Sequence, residues 1–475
     1  MGIKTVGIYS SADIGLPHTY SMDEMIYLGE GSLQETYLNA DLIVHKAFEL
    51  GVDAIHPGYG FLSENSAFAS LVREKNMIFL GPSPKVIDIM GDKKASKETL
   101  FAIATPLIPG YFGDKQDSKT LLEEAKKIGF PVLIKATAGG GGKGMRVVES
   151  ENEFVSSLES AMREAKKSFG IDTVMLEKYI LSPRHIEVQV LSDQHGNHRH
   201  LFERECSIQR RHQKIVEETP STALDPELRK KICDTAVAIA SHVKYEGAGT
   251  VEFILDTSGA FYFLEMNTRL QVEHPITEML TGVDLVKWQI KIGEGKIISF
   301  SQDDLVPRGH AIEVRIYAED PDNEFLPTNG VIERVGTTHL NGVRLDTGYA
   351  DGSSVGVEFD PMLAKLIAHS DTRRSAITKL LLALDEITFS GLKTNRDHLK
   401  RILNSLKFKE GETYTDFIDK NGDSLGVPEV SNDSFALGIA ALQLSGKNLV
   451  SETGASHICR DSLVLEESLN MFRNV

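Results

Sequence analysis

Residues Glu265-Met266-Asn267-Thr268-Arg269-Leu270-Gln271-Val272-Glu273 place a polar side chain at every second position. A period of two is the repeat of one face of an extended strand. Met266, Leu270 and Val272 put apolar groups between them, with Thr268 the exception. Upstream lies a second extended run, Thr250-Val251-Glu252-Phe253-Ile254-Leu255. Between the two, Ser258-Gly259 suits a two-residue hairpin turn in which Gly supplies a positive φ. That register sets Glu252 directly opposite Glu265. Cross-strand partners have Cβ atoms about 4.5–5.5 Å apart, and facing like charges destabilise a sheet. Two facing carboxylates with Asn267 diagonal to them call for a cation. Oxygen-only ligands favour magnesium or manganese, ions that usually accompany nucleotide phosphates. A solvated strand face is the plainer reading; an Arg and a Gln of buried type on the same face argue against it.

The second signal is Ala138-Gly139-Gly140-Gly141-Gly142-Lys143-Gly144. Glycines let backbone N–H groups approach a phosphate closely. A Walker loop needs Gly-Lys followed by Ser or Thr and a helix, whereas Gly-Lys-Gly here runs into a strand pattern. A Rossmann fingerprint fails for the same reason. A glycine loop between two strands reads as a flap, and Lys135 on the preceding strand would meet a phosphate as a point charge. A flexible linker is the alternative.

The bulk properties narrow the class. At 475 residues the chain suits two to four packed lobes. A hydrophobic content of 41% and a charged content of 25% are ordinary for a soluble protein. The net charge of −17 argues against non-specific nucleic-acid binding, and no apolar run approaches a membrane span. Cys206, Cys233 and Cys459 form no CxxC pair, which fits a reducing compartment rather than a disulfide or zinc framework. The opening residues read as a strand, not a signal or transit segment.

Along the chain, strand and helix patterns alternate first. Residues 5–9 read as a strand, 37–50 as a helix ended by Gly51, 54–56 as a strand and 77–80 as another. That is an α/β lobe with a parallel sheet. A small α/β lid follows, with helices over 118–128 and 151–168 and strands over 132–136, 145–148 and 174–179. Strands are expected at 185–191, 200–205 and 310–317. Helices are expected at 226–243, capped by Asp225 with Pro226 at its first position, and at 373–387. Past about residue 418 the chain reads as a linker, then a short helix over 434–444 and an unpatterned tail.

Other clusters are less specific. Glu177-Lys178-Tyr179-Ile180 ends a strand where the lid rejoins the body, and a carboxylate with backbone groups there could hold a base or ribose. Gln209-Arg210-Arg211-His212-Gln213-Lys214 is basic in an acidic chain; it suits anion and ribose recognition or a solvated loop. His185 and Glu187 share one strand face. His195, His198 and His200 fit an exposed turn around Gly196-Asn197 better than a metal tract.

Taken together, certain stretches resemble the biotin carboxylase component of biotin-dependent carboxylases, which has an ATP-grasp fold. They are His56-Pro-Gly-Tyr-Gly-Phe-Leu-Ser-Glu-Asn65, Met90-Gly-Asp-Lys93, the Gly139–Gly144 loop, Glu205-Cys-Ser-Ile-Gln-Arg-Arg-His-Gln-Lys214 and Glu265 through Pro275. The resemblance spans residues 1 to about 420. Gly110-Tyr-Phe-Gly113, Arg163-Glu-Ala-Lys-Lys-Ser168, Thr415-Asp-Phe-Ile418 and Ala436-Leu-Gly-Ile-Ala-Ala-Leu442 are most similar to alpha subunits of methylcrotonoyl-CoA carboxylases. It implies an α/β fold with an N-terminal parallel α/β lobe (1–90), an ATP-grasp region (91–301) with an inserted lid at about 107–180, a C-terminal α+β lobe (302–420) and a linker with tail (421–475).

The resemblance also implies roles. ATP would lie between lid and body. Lys93 and Lys135 would contact its phosphates under Gly141 and Gly142. Glu177, Ile180, His185, Gln209 and His212 would hold adenine and ribose. Glu252, Glu265 and Asn267 would bind magnesium or manganese. Arg269, Gln271 and the Val272 backbone would hold bicarbonate, and Glu273 would deprotonate it. The resulting carboxyphosphate would break down to CO2 and phosphate, with Lys214 helping to hold the phosphate. Arg315 would stabilise the biotin enolate that captures CO2. Implied partners are a biotin carrier, a carboxyltransferase (beta) subunit and a second copy of the chain; nucleic acid and membrane are not expected. The compartment would be the mitochondrial matrix in a eukaryote, otherwise the cytoplasm.

Two departures from the family pattern stand out. The chain opens at what looks like the family's second strand, without an Asn-Arg-Gly-Glu segment, and no Met-Lys pair of a biotin-carrier motif occurs. Expectation therefore includes biotin carried elsewhere, and leaves room for a non-catalytic nucleotide-binding subunit. Another ATP-grasp ligase, of the carbamoyl-phosphate type, is the third reading.

Overall fold

In the computed structural model, residues 1–137, 145–211 and 213–426 are described, the side chains of Phe169 and Asp423 excepted. The Gly139–Gly144 loop with Gly141 and Gly142, His212, Cys459 and the expected helix over 434–444 lie outside these residues.

The first lobe is held by two parallel strand pairs: Val6–Tyr9 with Glu24–Tyr27, and Ala54–Ile55 with Ile78–Phe79. The expected parallel pairing is present, as two short sheets rather than one. Helices begin where Asx side chains satisfy orphan N–H groups. Asn39 accepts from Leu42 N ahead of Ala40–Glu49, so that helix starts three residues later than the apolar pattern suggests. Asn65 accepts from Phe68 N ahead of Ser66–Glu74. In Met90-Gly-Asp-Lys93, Asp92 ends one helix and caps the next, Lys93–Phe101, through Ala95 N. Lys93 is thereby fixed in the first turn, and Lys97 one turn further along the same face.

The lid is a four-stranded antiparallel sheet ordered Gly110–Tyr111, Val174–Lys178, Val132–Ala136, Arg146–Val148. Helices Ser118–Ile128 and Glu151–Phe169 cover one face, packing Leu121, Phe154 and Leu158 on Val132, Ile134 and Leu176. Val132, Ile134 and Ala136 are buried, so strand alternation turns Lys135 to the other face.

The body is an eight-stranded antiparallel sheet. Its order is Phe261–Asn267, Gly247–Leu255, Arg184–Ser192, His198–Arg210, Gln213–Thr219, His310–Tyr317, Met362–Ser370, Val343–Thr347. Helix Pro226–His242 packs on it, with Asp225 as N-cap and Pro226 in the first turn, as the sequence predicts. Helix Arg373–Glu386 covers the far end.

Three sequence expectations are corrected here. The alternating run is not one strand: it leaves the sheet after Asn267, and Glu273 sits at the N-cap position of helix His274–Thr281. Pro275 in the first turn of that helix has no N–H to give a ladder. The hairpin turn is three residues long, not two: Asp256 and Ala260 close it and Gly259 has φ +86°. Leu264 then forms a bulge, so Phe253 faces Phe263 yet Glu252 still faces Glu265. The two one-residue errors cancel. Finally, of the basic cluster, Gln209 pairs with Lys214 and Arg210 with Gln213 in an antiparallel ladder, so the solvated-loop alternative fails for these four residues.

Candidate active site

Lys214 stands at the centre of a buried charge network. Its Nζ lies 2.5 Å from Glu187 Oε2, 2.9 Å from Glu252 Oε1 and 2.7 Å from Glu273 Oε1. The side chain is 13% exposed, and the three carboxylates hold its ammonium well above the usual lysine range against the opposing effect of burial. Burial alone would push the Glu252 carboxyl up; Lys214 and His185 outweigh it and hold it well below the usual range. Glu273 behaves alike, burial being overcome by Lys214, Arg315 and Arg204. Arg315 links Glu273 Oε2 (2.9 Å) to Glu217 Oε1 (2.6 Å).

Behind this centre Arg204 is fully buried. It donates to Glu187 Oε1 (2.5 Å), Gln189 Oε1, Thr277 Oγ1, Thr250 Oγ1 and Gln271 Oε1 (2.9 Å). Gln271 passes the alignment on, donating from Nε2 to Glu252 Oε1 at 2.9 Å. Asn267 Nδ2 donates to the same oxygen at 2.8 Å. His185 Nε2 meets Glu252 Oε2 at 2.8 Å while Gln209 Nε2 lies 2.7 Å from its Nδ1. With the amide donating to Nδ1, the ring proton sits on Nε2, facing the carboxylate.

Glu265, across the ladder, is solvent-exposed yet closely surrounded by protein. Its carboxyl is raised, first by burial and then by Glu252. Arg269 donates from Nε to Glu64 Oε2 at 2.8 Å and from Nη2 to Asn267 Oδ1 at 3.1 Å. The Val272 carbonyl accepts from Lys365 Nζ at 2.8 Å.

A second cationic group lies on the lid side. Lys97 and Lys135 both contact the buried Glu177 carboxylate. Burial, then the charges of Lys135 and Lys93, push the Lys97 ammonium down to about 7. Lys135 falls to about 8, through burial first and Lys93 second. Glu177, touching both ammoniums, works in the opposite direction. Ile180 is half-buried just past the strand that carries Glu177.

Residues 1–87 match the biotin carboxylase N-terminal domain, 92–300 the ATP-binding domain of the carbamoyl-phosphate synthase L chain, and 313–420 the biotin carboxylase C-terminal domain. Biotin carboxylase 2 of Bacillus subtilis is 47% identical over 421 residues, covering 89% of this chain and 95% of that one. The chain belongs to the biotin carboxylase family. Its fold is the ATP-grasp α/β fold that family shares. The methylcrotonoyl-CoA carboxylase alpha subunit of Dictyostelium discoideum is 50% identical over 446 residues, or 93% of this chain and 64% of that one. That of mouse is 49% identical over 90% of this chain and 59% of its own length. The chain thus spans about three-fifths of these alpha subunits. Among solved structures, the biotin carboxylase domain dimer of Hydrogenobacter thermophilus 2-oxoglutarate carboxylase, in complex with MgADP, ADP and bicarbonate, is 44% identical. It superposes with a TM-score of 0.86, covering 90% of this chain and 94% of that one.

Set on the family frame, the sequence-derived residues fall into two groups. Lys214, Glu252, Asn267, Gln271, Glu273, Arg315, His185 and Gln209 meet in one network, with Arg269 bonded to Asn267 and Glu265 opposite Glu252. Lys93, Lys135 and Glu177 form the other, with Ile180 beside it. The histidine tract disperses: His195 bonds Gly295 O, His198 bonds Ser192 Oγ and His200 lies near Phe202 N. Sequence reasoning passed over Arg204, Glu217, Glu313, Lys365 and Lys97. Lys97 was detectable as Lys93 plus one helical turn. The alternation Glu313-Val-Arg315 carried a weaker signal; Arg204 and Lys365 carried none, because their partners are distant in sequence.

Proposed function

We propose that this chain carboxylates biotin held on a carrier domain or protein, using ATP and bicarbonate, as the biotin carboxylase part of a methylcrotonoyl-CoA carboxylase. Its partners would be that carrier, a carboxyltransferase subunit and a second copy of the chain, in the mitochondrial matrix; the related alpha subunits carry the name mitochondrial. The observation that carries the reading is Lys214: one ammonium is bonded both to Glu252, on the cation-binding hairpin, and to Glu273, the candidate base.

A divalent ion fits the hairpin. Two carboxylates face each other in register, one of them raised by burial and then by the other's charge, and both supply only oxygen. Glu252, Glu265 and Asn267 would hold the ion, which would offset charge on the transferring phosphoryl group. Lys93, Lys135 and Lys97 would meet the triphosphate, a polyanion able to replace Glu177 as their counter-ion. Ile180, Glu177, His185, Gln209 and His212 are assigned to the nucleoside. Arg269, with Gln271 and the Val272 backbone, would bind bicarbonate within reach of Glu273. Glu273 would take its proton, Lys214 would hold the phosphate and Arg315 the biotin enolate. These cations are already fixed by neighbours, so they stabilise developing charge without reorganising.

The test is ATP hydrolysis that depends on bicarbonate and rises with free biotin. Ammonia-dependent hydrolysis instead would move the chain to the carbamoyl-phosphate type. A chain that binds nucleotide with no turnover in either case is the non-catalytic alternative. For the ion site, Glu265→Gln should raise the magnesium concentration for half-maximal activity about 10- to 100-fold, the scale of lost ligand support. The same change removes a like-charge pair, so without metal the variant should melt higher than the parent, by about 0.2–1 kcal/mol of stability. A lower melting temperature in chelator would contradict the repulsion on which the site is argued.

A further inference from the structure

On strand His310–Tyr317, Ile312, Val314 and Ile316 enter the apolar core, so Glu313 and Arg315 share the opposite face. Glu313 lies directly across the ladder from Glu217. Both are 0% exposed. Neither oxygen of Glu313 nor Oε2 of Glu217 has a hydrogen-bond partner among the described residues. Two buried carboxylates facing each other cannot both stay ionised without cations to balance them.

The cations around them are committed. Arg315, on the same strand, is divided between Glu217 and Glu273. Lys214, on strand Gln213–Thr219, serves Glu187, Glu252 and Glu273. Lys365, on strand Met362–Ser370, donates to Val272 O and lies 3.4 Å from Asp346. Helix His274–Thr281, packed on these strands, brings Glu273 and His274; burial holds His274 neutral. The carboxylates named here outnumber these three cations, and Glu313 is hydrogen-bonded to none of them.

We propose that Glu217 and Glu313 share a single proton at neutral pH and act together as positioning residues for Arg315. One carboxylate of the pair fixes Arg315 Nε, while the proton keeps the second from competing for the guanidinium. Nη2 then stays turned to Glu273 and to a ligand beside it. This last part rests on the reading of Arg315 given above; the shared proton does not. Burial pushes the Glu217 carboxyl up to about 7 and Glu313 well above the usual range, in keeping with the charge balance. The pair titrates as a unit, so its steps belong to neither residue alone.

The folded chain holds this proton more tightly than the unfolded chain does. The stability it contributes is therefore full below the ordinary carboxyl range and is lost as pH rises through the raised folded values of the pair. Infrared spectra of the intact chain in heavy water should contain a protonated-carboxyl band at neutral pH that disappears on alkaline titration. Glu313→Gln should abolish that band. It should also remove the matching step from the pH profile of kcat. Glu217→Ala should lower kcat about 10-fold or more at every pH, because Arg315 loses the anchor for Nε. Absence of the band in the parent, or a band that survives in both variants, overturns the proposal. The parent spectrum decides the first point even if a variant fails to fold. A chain that has the band but no bicarbonate-dependent turnover would sink the functional reading and leave the shared proton standing.

Discussion

Glu273→Gln should reduce bicarbonate-dependent ATP turnover by about 10²- to 10⁴-fold, the usual worth of a positioned general base. The amide is nearly isosteric but has a single oxygen, so it can accept from Lys214 or from Arg315 and turns its NH2 toward the other. What it cannot do is accept a proton. Nucleotide affinity should change little, because the groups assigned to the triphosphate lie on the lid side with Glu177. The strong depression of the Glu273 carboxyl shapes the expected kinetics. A carboxylate held so low by Lys214, Arg315 and Arg204 is a weak base in the free protein. An anion bound at Arg269 would offset that positive field and make Glu273 more basic when its substrate is present. Bicarbonate-dependent hydrolysis and nucleotide binding, measured on the same variant, check the assignment. Turnover at the parental rate would remove Glu273 from the role of base.

The second large effect is on stability. Arg204→Met should cost about 3–5 kcal/mol, the range for removing one partner of a buried ion pair. Glu187 would keep Lys214 but lose its 2.5 Å guanidinium bond, and Gln189, Thr250, Thr277 and Gln271 would each lose a donor. Because Gln271 is what Arg204 aligns against Glu252, metal dependence should worsen alongside stability. A denaturant midpoint close to the parent's would show that the network is not a framework. Adding Glu187→Gln to Arg204→Met should restore part of the loss, since the uncompensated charge goes with it. A positive coupling of about 0.5–3 kcal/mol is the scale for residues in direct contact.

The candidate site was largely legible in the chain, for a physical reason that varies by residue. Glu252 and Glu265 were paired correctly because two one-residue errors cancel, the turn being one residue longer than read and the ladder carrying a bulge. A three-residue turn alone would have shifted the pairing; the Leu264 bulge returned it. Asp92 and Asn65 fixed helix starts through local capping, which is readable from a few neighbouring residues. The run beyond Asn267 was misread as strand because its alternation persists after the backbone has turned toward a helix. Polar spacing records which residues face the site, not which backbone conformation delivers them.

What the sequence determined by itself is the α/β class, the pairing of Glu252 with Glu265 and the glycine loop, which depend on local periodicity and residue chemistry; the roles of most other candidate residues rest on the family resemblance. The tertiary structure alone decided how charge is distributed among them. Arg204 reaches Gln271 across 67 positions, Lys365 reaches Val272 across 93, and Arg315 joins Glu217 to Glu273 over spans of 98 and 42. Burial strengthens each of these bonds and sets each protonation state, and burial exists only once strands distant in sequence have been laid side by side.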